Sequence, residues 1–162
     1  MIALTSALAV ALLVAVVVVR RRIVVVTVSG ISMTPTLRPG EKLLVRRCGL
    51  SALKVGDIVV LEPPRAAVSR AGTPWQVKRV AALPGDPIPV SAREASGALR
   101  AVPDGALIVL GDNTASDDSR RTGPYPGDRI LGVVLRKLAG DAFPGHDPGG
   151  RSTAAARPPG GR

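Results

Sequence analysis

Aromatic side chains are nearly absent from this chain of 162 residues, which has one Phe, one Trp and one Tyr. A core must therefore be aliphatic, built from Val, Leu, Ala and Ile, and there is no platform on which bases could stack. Cysteine is equally scarce. Cys48 stands alone and rules out an internal disulfide framework. It ends an apolar run after Arg46-Arg47 with no base in view, so it reads as a structural thiol rather than a nucleophile. The only histidine, His146, lies in a Gly/Pro-rich tail. Any serine chemistry must then recruit a base other than imidazole.

Acidic residues are also few. Twelve Asp and Glu face 22 Lys and Arg, giving a formal net charge of +10. Such a balance usually points to nucleic acid. With no stacking surface and no recognition helix, attraction to an anionic lipid surface explains it as well, and so does Arg-rich codon usage. The 18 Gly and 15 Pro favour many short strands joined by turns over long helices.

The one long apolar run is Ile2–Val19, interrupted only by Thr5 and Ser6. As a helix it would span roughly 27 Å, at the short edge of what crosses a bilayer. It is apolar on every face, unlike a core helix. It lacks both the preceding basic residues and the small-residue cleavage site of a secretory leader. Residues 1–22 are therefore expected to be a transmembrane anchor with a basic flank. Arg20-Arg21-Arg22 after the run would draw the following domain to the cytoplasm under the positive-inside rule, unless these charges rest on outer-leaflet phosphates.

From Ile23 to Leu138, apolar runs alternate with Gly-acid turns: Pro39-Gly40-Glu41, Gly56-Asp57, Pro84-Gly85-Asp86, Gly111-Asp112 and Pro126-Gly127-Asp128. Strands are expected at Ile23–Val28, Lys42–Arg46, Asp57–Leu61, Gln76–Ala82, Ala106–Leu110 and Arg129–Leu135. No sustained helical period is present. Residues 23–139 are thus expected to form a mainly β, antiparallel domain. Glu62–Pro74 reads as an exposed loop, Pro87–Asp104 as a small hairpin or edge insertion, and residues 140–162 as a disordered Gly/Pro/Arg-rich tail.

Ser32 stands in Ser29-Gly30-Ile31-Ser32-Met33-Thr34-Pro35-Thr36-Leu37, on an irregular turn about ten residues past the apolar run. That setting suits a nucleophile near a membrane surface. Its proton must leave before attack, and the available partners are Lys, Asp and Glu. A lysine serves only as a neutral amine, so burial must bring its pKa from about 10.4 towards about 7, at a cost of roughly 4 kcal/mol. Lys42, Lys54 and Lys137 adjoin turns or the tail. Lys78 alone lies inside an apolar strand, Trp75-Gln76-Val77-Lys78-Arg79-Val80-Ala81-Ala82-Leu83. In a chain that prefers Arg, this suggests a cation that must deprotonate. A solvated lysine on an open strand face is the competing reading.

Three segments follow in order: Ser32-Met33-Thr34-Pro35-Thr36-Leu37, Lys78-Arg79-Val80-Ala81-Ala82-Leu83-Pro84-Gly85-Asp86, and Gly111-Asp112-Asn113 with Ser116-Asp117-Asp118-Ser119-Arg120. Together, over roughly Val26 to Val134, they resemble the bacterial type I signal peptidases in their compact Gram-positive form. These are membrane-anchored serine proteases that remove signal peptides from exported proteins. The resemblance implies Ser32 as the acyl-forming nucleophile and Lys78 as general base. It implies Ser116 as the hydroxyl orienting the amine, and Asp118 and Arg120 as a supporting ion pair positioned by Gly111-Asp112-Asn113. The Ser32 backbone N–H would supply the oxyanion hole beside Gly30. The third motif is one residue short between Asn113 and Ser116, which leaves Ser119 as an alternative to Ser116.

An extended substrate would add as a strand between Val26–Ser29 and Gln76–Lys78, touching Val28, Ser29, Met33 and Gln76. Shallow aliphatic pockets would favour small residues at the cut. The implied partners are signal-peptide-bearing precursors and membrane lipids, not nucleic acid. No cofactor and no metal is implied, and the domain is expected on the extracytoplasmic side of the cell membrane. A dedicated maturation protease with the same chemistry, or an inactive adaptor that only holds signal peptides, are the other readings.

Overall fold

The computed structural model of the chain describes residue 13, residues 20–64 and residues 75–140, with no side-chain description for 139 and 140. The expected anchor (apart from Leu13 and Arg20–Arg22), most of the loop 62–74 and the expected tail lie outside the described residues. Among the described residues, no helix is long and apolar enough to cross a membrane.

The domain is one antiparallel sheet. Its strands are β1 (Ile23–Thr27), β2 (Glu41–Arg47), β3 (Ile58–Leu61), β4 (Gln76–Ala82), β5 (Ala106–Leu110), β6 (Tyr125–Pro126) and β7 (Ile130–Gly140), in the order β1-β2-β7-β3-β4-β5-β6. Branched aliphatics fill these strands, as in the Ile-Val-Val-Val-Thr of β1, where a branched Cβ packs best on a pleated surface. Glycines with positive φ turn the chain at Gly56 (95°) and Gly85 (84°), two of the expected Gly-acid turns.

Buried aliphatics form three contiguous groups. One gathers Val59, Leu61, Val80, Leu107, Val109 and the lone Tyr125 around the sheet centre. Another packs Val28, Met33 and Leu37 onto Leu43, Val45 and Val60, and so seats the segment carrying Ser32 on the sheet. In the third, Ile88, Ala92 and Val102 pack on Ala82 and Ile108. Residues 87–104 thus form a small cap rather than a hairpin. It holds a single bridge, Pro87 with Ala101, and a 3₁₀ turn at Val90–Ala92.

Expected and observed strands agree within a residue or two, except at β7, which continues to Gly140 against Glu41 of β2. β6 and a one-turn helix, α1 (Ser119–Thr122), are additional. Cys48 is free and half-buried against the central aliphatic group.

Candidate active site

Alternation along β4 turns Lys78, Val80 and Ala82 to the same buried side, so strand period alone drives the lysine into the protein. Lys78 is 2% exposed. Its Nζ donates to Ser116 Oγ at 2.6 Å. Burial pulls its pKa down from 10.5 to about 8, against the fields of Asp118 and Asp117, which favour the ammonium. The amine is therefore available as a base close to neutral pH.

Ser116 is held by a carboxylate scaffold. Asp118, fully buried, accepts from the backbone N–H of Gly111 (2.7 Å) and Arg120 (3.0 Å), and from Arg120 Nε and Nη2 (2.9 and 2.7 Å). Burial alone would raise the Asp118 pKa. The Arg120 guanidinium and these N–H donors outweigh it and hold the carboxyl below its usual range. The same guanidinium reaches the carbonyls of Gly111 and Asn113, both at 3.0 Å, and so clamps the turn after β5. Ser119 faces elsewhere, accepting from the Val109 N–H at 3.0 Å. Of the two candidate hydroxyls, it is Ser116 that meets Lys78.

That turn also carries the segment bearing Ser32. The Asn113 N–H donates to the Ser32 carbonyl at 3.0 Å, and Asn113 Nδ2 donates to Ile31 O (3.2 Å) and Thr34 Oγ1 (3.0 Å). The approach is so close that a Cβ on Gly111 would run into the Ser116 side chain and the Ser32 carbonyl. A second clamp lies outside. Arg79 grips Asp112 through Nε (2.9 Å) and Nη2 (2.7 Å), and its Nη1 donates to Gly56 O. The Arg79 hydrogen bond holds the Asp112 carboxyl below its usual pKa, and the Thr36 hydroxyl adds to this. Sequence reasoning named Asp112 within its turn but missed this pair. The signal was the Lys-Arg doublet, which on a strand sends its two cations to opposite faces.

Ser32, Lys78 and Ser116 line one groove of about 620 Å³, walled by Val26–Met33 on one side and Trp75–Lys78 on the other, with Asn113, Ala115 and Asp117 closing the end. The Ser32 hydroxyl is half-buried and donates to the Val77 carbonyl at 3.4 Å, next to Lys78 in the chain. Val28 and Met33 are buried in the wall, while Ser29 and Gly30 are exposed at its rim, Gly30 with open space where a side chain would stand. Gln76 is half-buried, and its Oε1 accepts from the Tyr125 hydroxyl at 3.3 Å.

Each wall carries a strand edge. Among the described residues β1 is the edge of the sheet, and β4 pairs with β5 only from Arg79 onward, so that at Gln76–Lys78 no strand lies on that side and the Val77 carbonyl takes the Ser32 hydroxyl instead. Among the described residues no cluster of His, Cys, Asp and Glu could hold a metal ion.

A groove between two strand edges that holds a hydroxyl and a buried amine is the kind of surface an extended peptide and hydrolytic chemistry would need. Comparison with known proteins narrows the class. The family model for signal peptidases (Signal peptidase, peptidase S26) matches residues 1–95 and 90–138. Over 121 residues, 72% of this chain and 71% of the relative, the sequence is 34% identical to the mitochondrial inner membrane protease subunit 1 of Schizosaccharomyces pombe. The chain belongs to the signal peptidase family, and it is a peptidase by that membership.

Proposed function

We propose that this protein is a membrane-bound serine endopeptidase that removes signal or leader peptides from exported precursors with a Ser32–Lys78 dyad. The observation that carries this is Lys78: a buried amine with its pKa near 8, at 2.6 Å from Ser116, in the groove that Ser32 also lines.

In the proposed cycle the precursor lies extended between the edges of β1 and β4, paired through backbone hydrogen bonds. Val28 and Met33 present aliphatic walls to the residue preceding the cut, which favours small side chains there. Rotation about the Cα–Cβ bond of Ser32 carries its Oγ from the Val77 carbonyl to the scissile carbonyl carbon. Neutral Lys78 Nζ takes the hydroxyl proton as the new C–O bond forms. The Ser32 backbone N–H donates to the developing oxyanion. As the tetrahedral adduct collapses, the Lys78 ammonium returns that proton to the departing amine, leaving an acyl ester on Ser32. A water then gives its proton to Lys78 and attacks the ester, and the Lys78 ammonium passes that proton to the departing Ser32 Oγ, releasing the acid product and restoring both residues. Ser116 holds the amine in line throughout, and Asp118 and Arg120 hold Ser116.

Anchoring by Ile2–Val19, with residues 23–139 as the catalytic domain on the extracytoplasmic side, would keep the groove close to where a precursor presents its cleavage point. Incubating the detergent-solubilised protein with a precursor and locating the cut by mass spectrometry tests the function. One cut after a small residue at the end of the leader supports it, and an intact precursor contradicts it. The second reading is a dedicated maturation protease that serves one secreted peptide or enzyme with the same chemistry. Cleavage of one precursor in a broad panel would select that reading over general export.

A further inference from the structure

Among the described residues, two charged side chains line the groove, Lys78 and Asp117. Lys78 acts as a neutral amine in the proposed cycle, which leaves Asp117 as the one carboxylate facing a bound peptide. The other carboxylates around this turn are committed elsewhere. Asp118 is fully buried under Arg120, and Asp112 is gripped by Arg79 on the outside. Asp117 has a looser partner. It accepts from Arg121 Nη1 at 2.8 Å, and the two side chains are 44% and 68% exposed. An exposed pair four residues apart is weak, so another cation can take the place of Arg121.

Position decides what this carboxylate meets. In the proposed cycle the residues before the cut lie along Val28 and Met33, between the two walls of the groove. Asn113, Ala115 and Asp117 close its other end. Ser116, next to Asp117 in the chain, holds Lys78 Nζ at 2.6 Å. The departing amine takes its proton from that Nζ, so the residues that follow the cut pass beside Ser116 and Asp117.

We infer that Asp117 forms a subsite for a basic side chain, Lys or Arg, at the first or second residue after the cut, taken in exchange for Arg121. The placement of the cut rests on the proposed peptidase function; the lone carboxylate in the groove does not. An acidic side chain there would be repelled, and a neutral one would leave the Asp117–Arg121 pair as it stands. At this exposure one such charge contact gives a preference of about three- to fivefold. A cation after the cut would then mark the cleavage point more narrowly than aliphatic walls can alone.

The detergent-solubilised full chain is given three precursors that differ only in the two residues after the cut, Lys-Lys, Gln-Gln or Glu-Glu. In the wild type kcat/KM should fall about three- to fivefold from Lys to Gln and again from Gln to Glu, and both steps should shrink in about 0.5 M salt. Asp117→Asn should level the three, and Arg121→Gln, which frees the carboxylate, should widen the steps. Ratios between precursors are read within each variant, so a general loss of activity does not enter. Fluorescence anisotropy with labelled peptides of the same sequences reads the same order in any variant that does not cut. Equal values for the three in the wild type, or an unchanged order in Asp117→Asn, overturns the subsite and leaves the peptidase reading in place. Binding that follows Lys over Gln over Glu and depends on Asp117, in a wild type that cuts none of them, would uphold the subsite and count against the peptidase reading.

Discussion

The pH dependence of kcat/KM follows from the burial of Lys78. With a pKa of about 8, the amine is neutral in about 1% of molecules at pH 6, about 9% at pH 7 and about 90% at pH 9. Activity should climb close to tenfold per unit below pH 8 and level off above pH 9. An amine left at 10.5 would be neutral in only about 0.03% of molecules at pH 7, so burial gains roughly 300-fold in active form. Lys78→Arg should show no cleavage at any pH below 11, because guanidinium stays protonated. The same shift has a cost in stability. The unfolded amine holds its proton up to 10.5 while the folded one releases it near 8. Between those values the unfolded state binds more protons, so stability rises with pH across that window, and below it the full penalty of about 3 kcal/mol applies. Lys78→Met should accordingly be more stable than wild type in urea at pH 7 by about 2–3 kcal/mol, with the gap closing towards pH 10.5. A profile flat from pH 6 to 10, a rise centred above pH 10, or a destabilised Lys78→Met would refute the reasoning.

Three further substitutions probe the scaffold. Ser116→Ala removes the partner of Nζ and should lower kcat about ten- to hundredfold, with CD spectra unchanged. Gly111→Ala forces a methyl group against Ser116 and the Ser32 carbonyl; cleavage should be lost while thermal unfolding registers a cost of about 1–3 kcal/mol. Asp118→Asn removes a carboxylate that raises the Lys78 pKa, so whatever activity survives should shift its pH profile downward; an upward shift would contradict the assigned field.

Much of the sheet could be read from the chain because its strands announce themselves locally. Gln76–Ala82 and Ala106–Leu110 are bounded by Pro and Gly turns, and the observed β4 and β5 end at those same residues. What escaped depends on distant partners. The extension of β7 past Leu135 is made by pairing with β2, about ninety residues away, in a segment whose own composition, Arg136-Lys137-Leu138-Ala139-Gly140, looks like the start of a tail. β6 and α1 are too short to show a period. The same limit applied to the site. Composition could not choose between a buried and a solvated Lys78, although its parity with Val80 and Ala82 carried the answer. Nor could spacing separate Ser116 from Ser119, since only the folded turn shows which hydroxyl meets the amine and which meets the Val109 N–H.

The central claim is that neutral Lys78 activates Ser32. Its most direct test is intact-mass and peptide-mapped acylation of the solubilised protein by a serine-directed acylating probe, run across pH. The account predicts a single adduct on Ser32, formed faster as pH rises through about 8 and absent in Lys78→Met. Labelling of another residue, or equal labelling of Ser32 without the Lys78 amine, would contradict it.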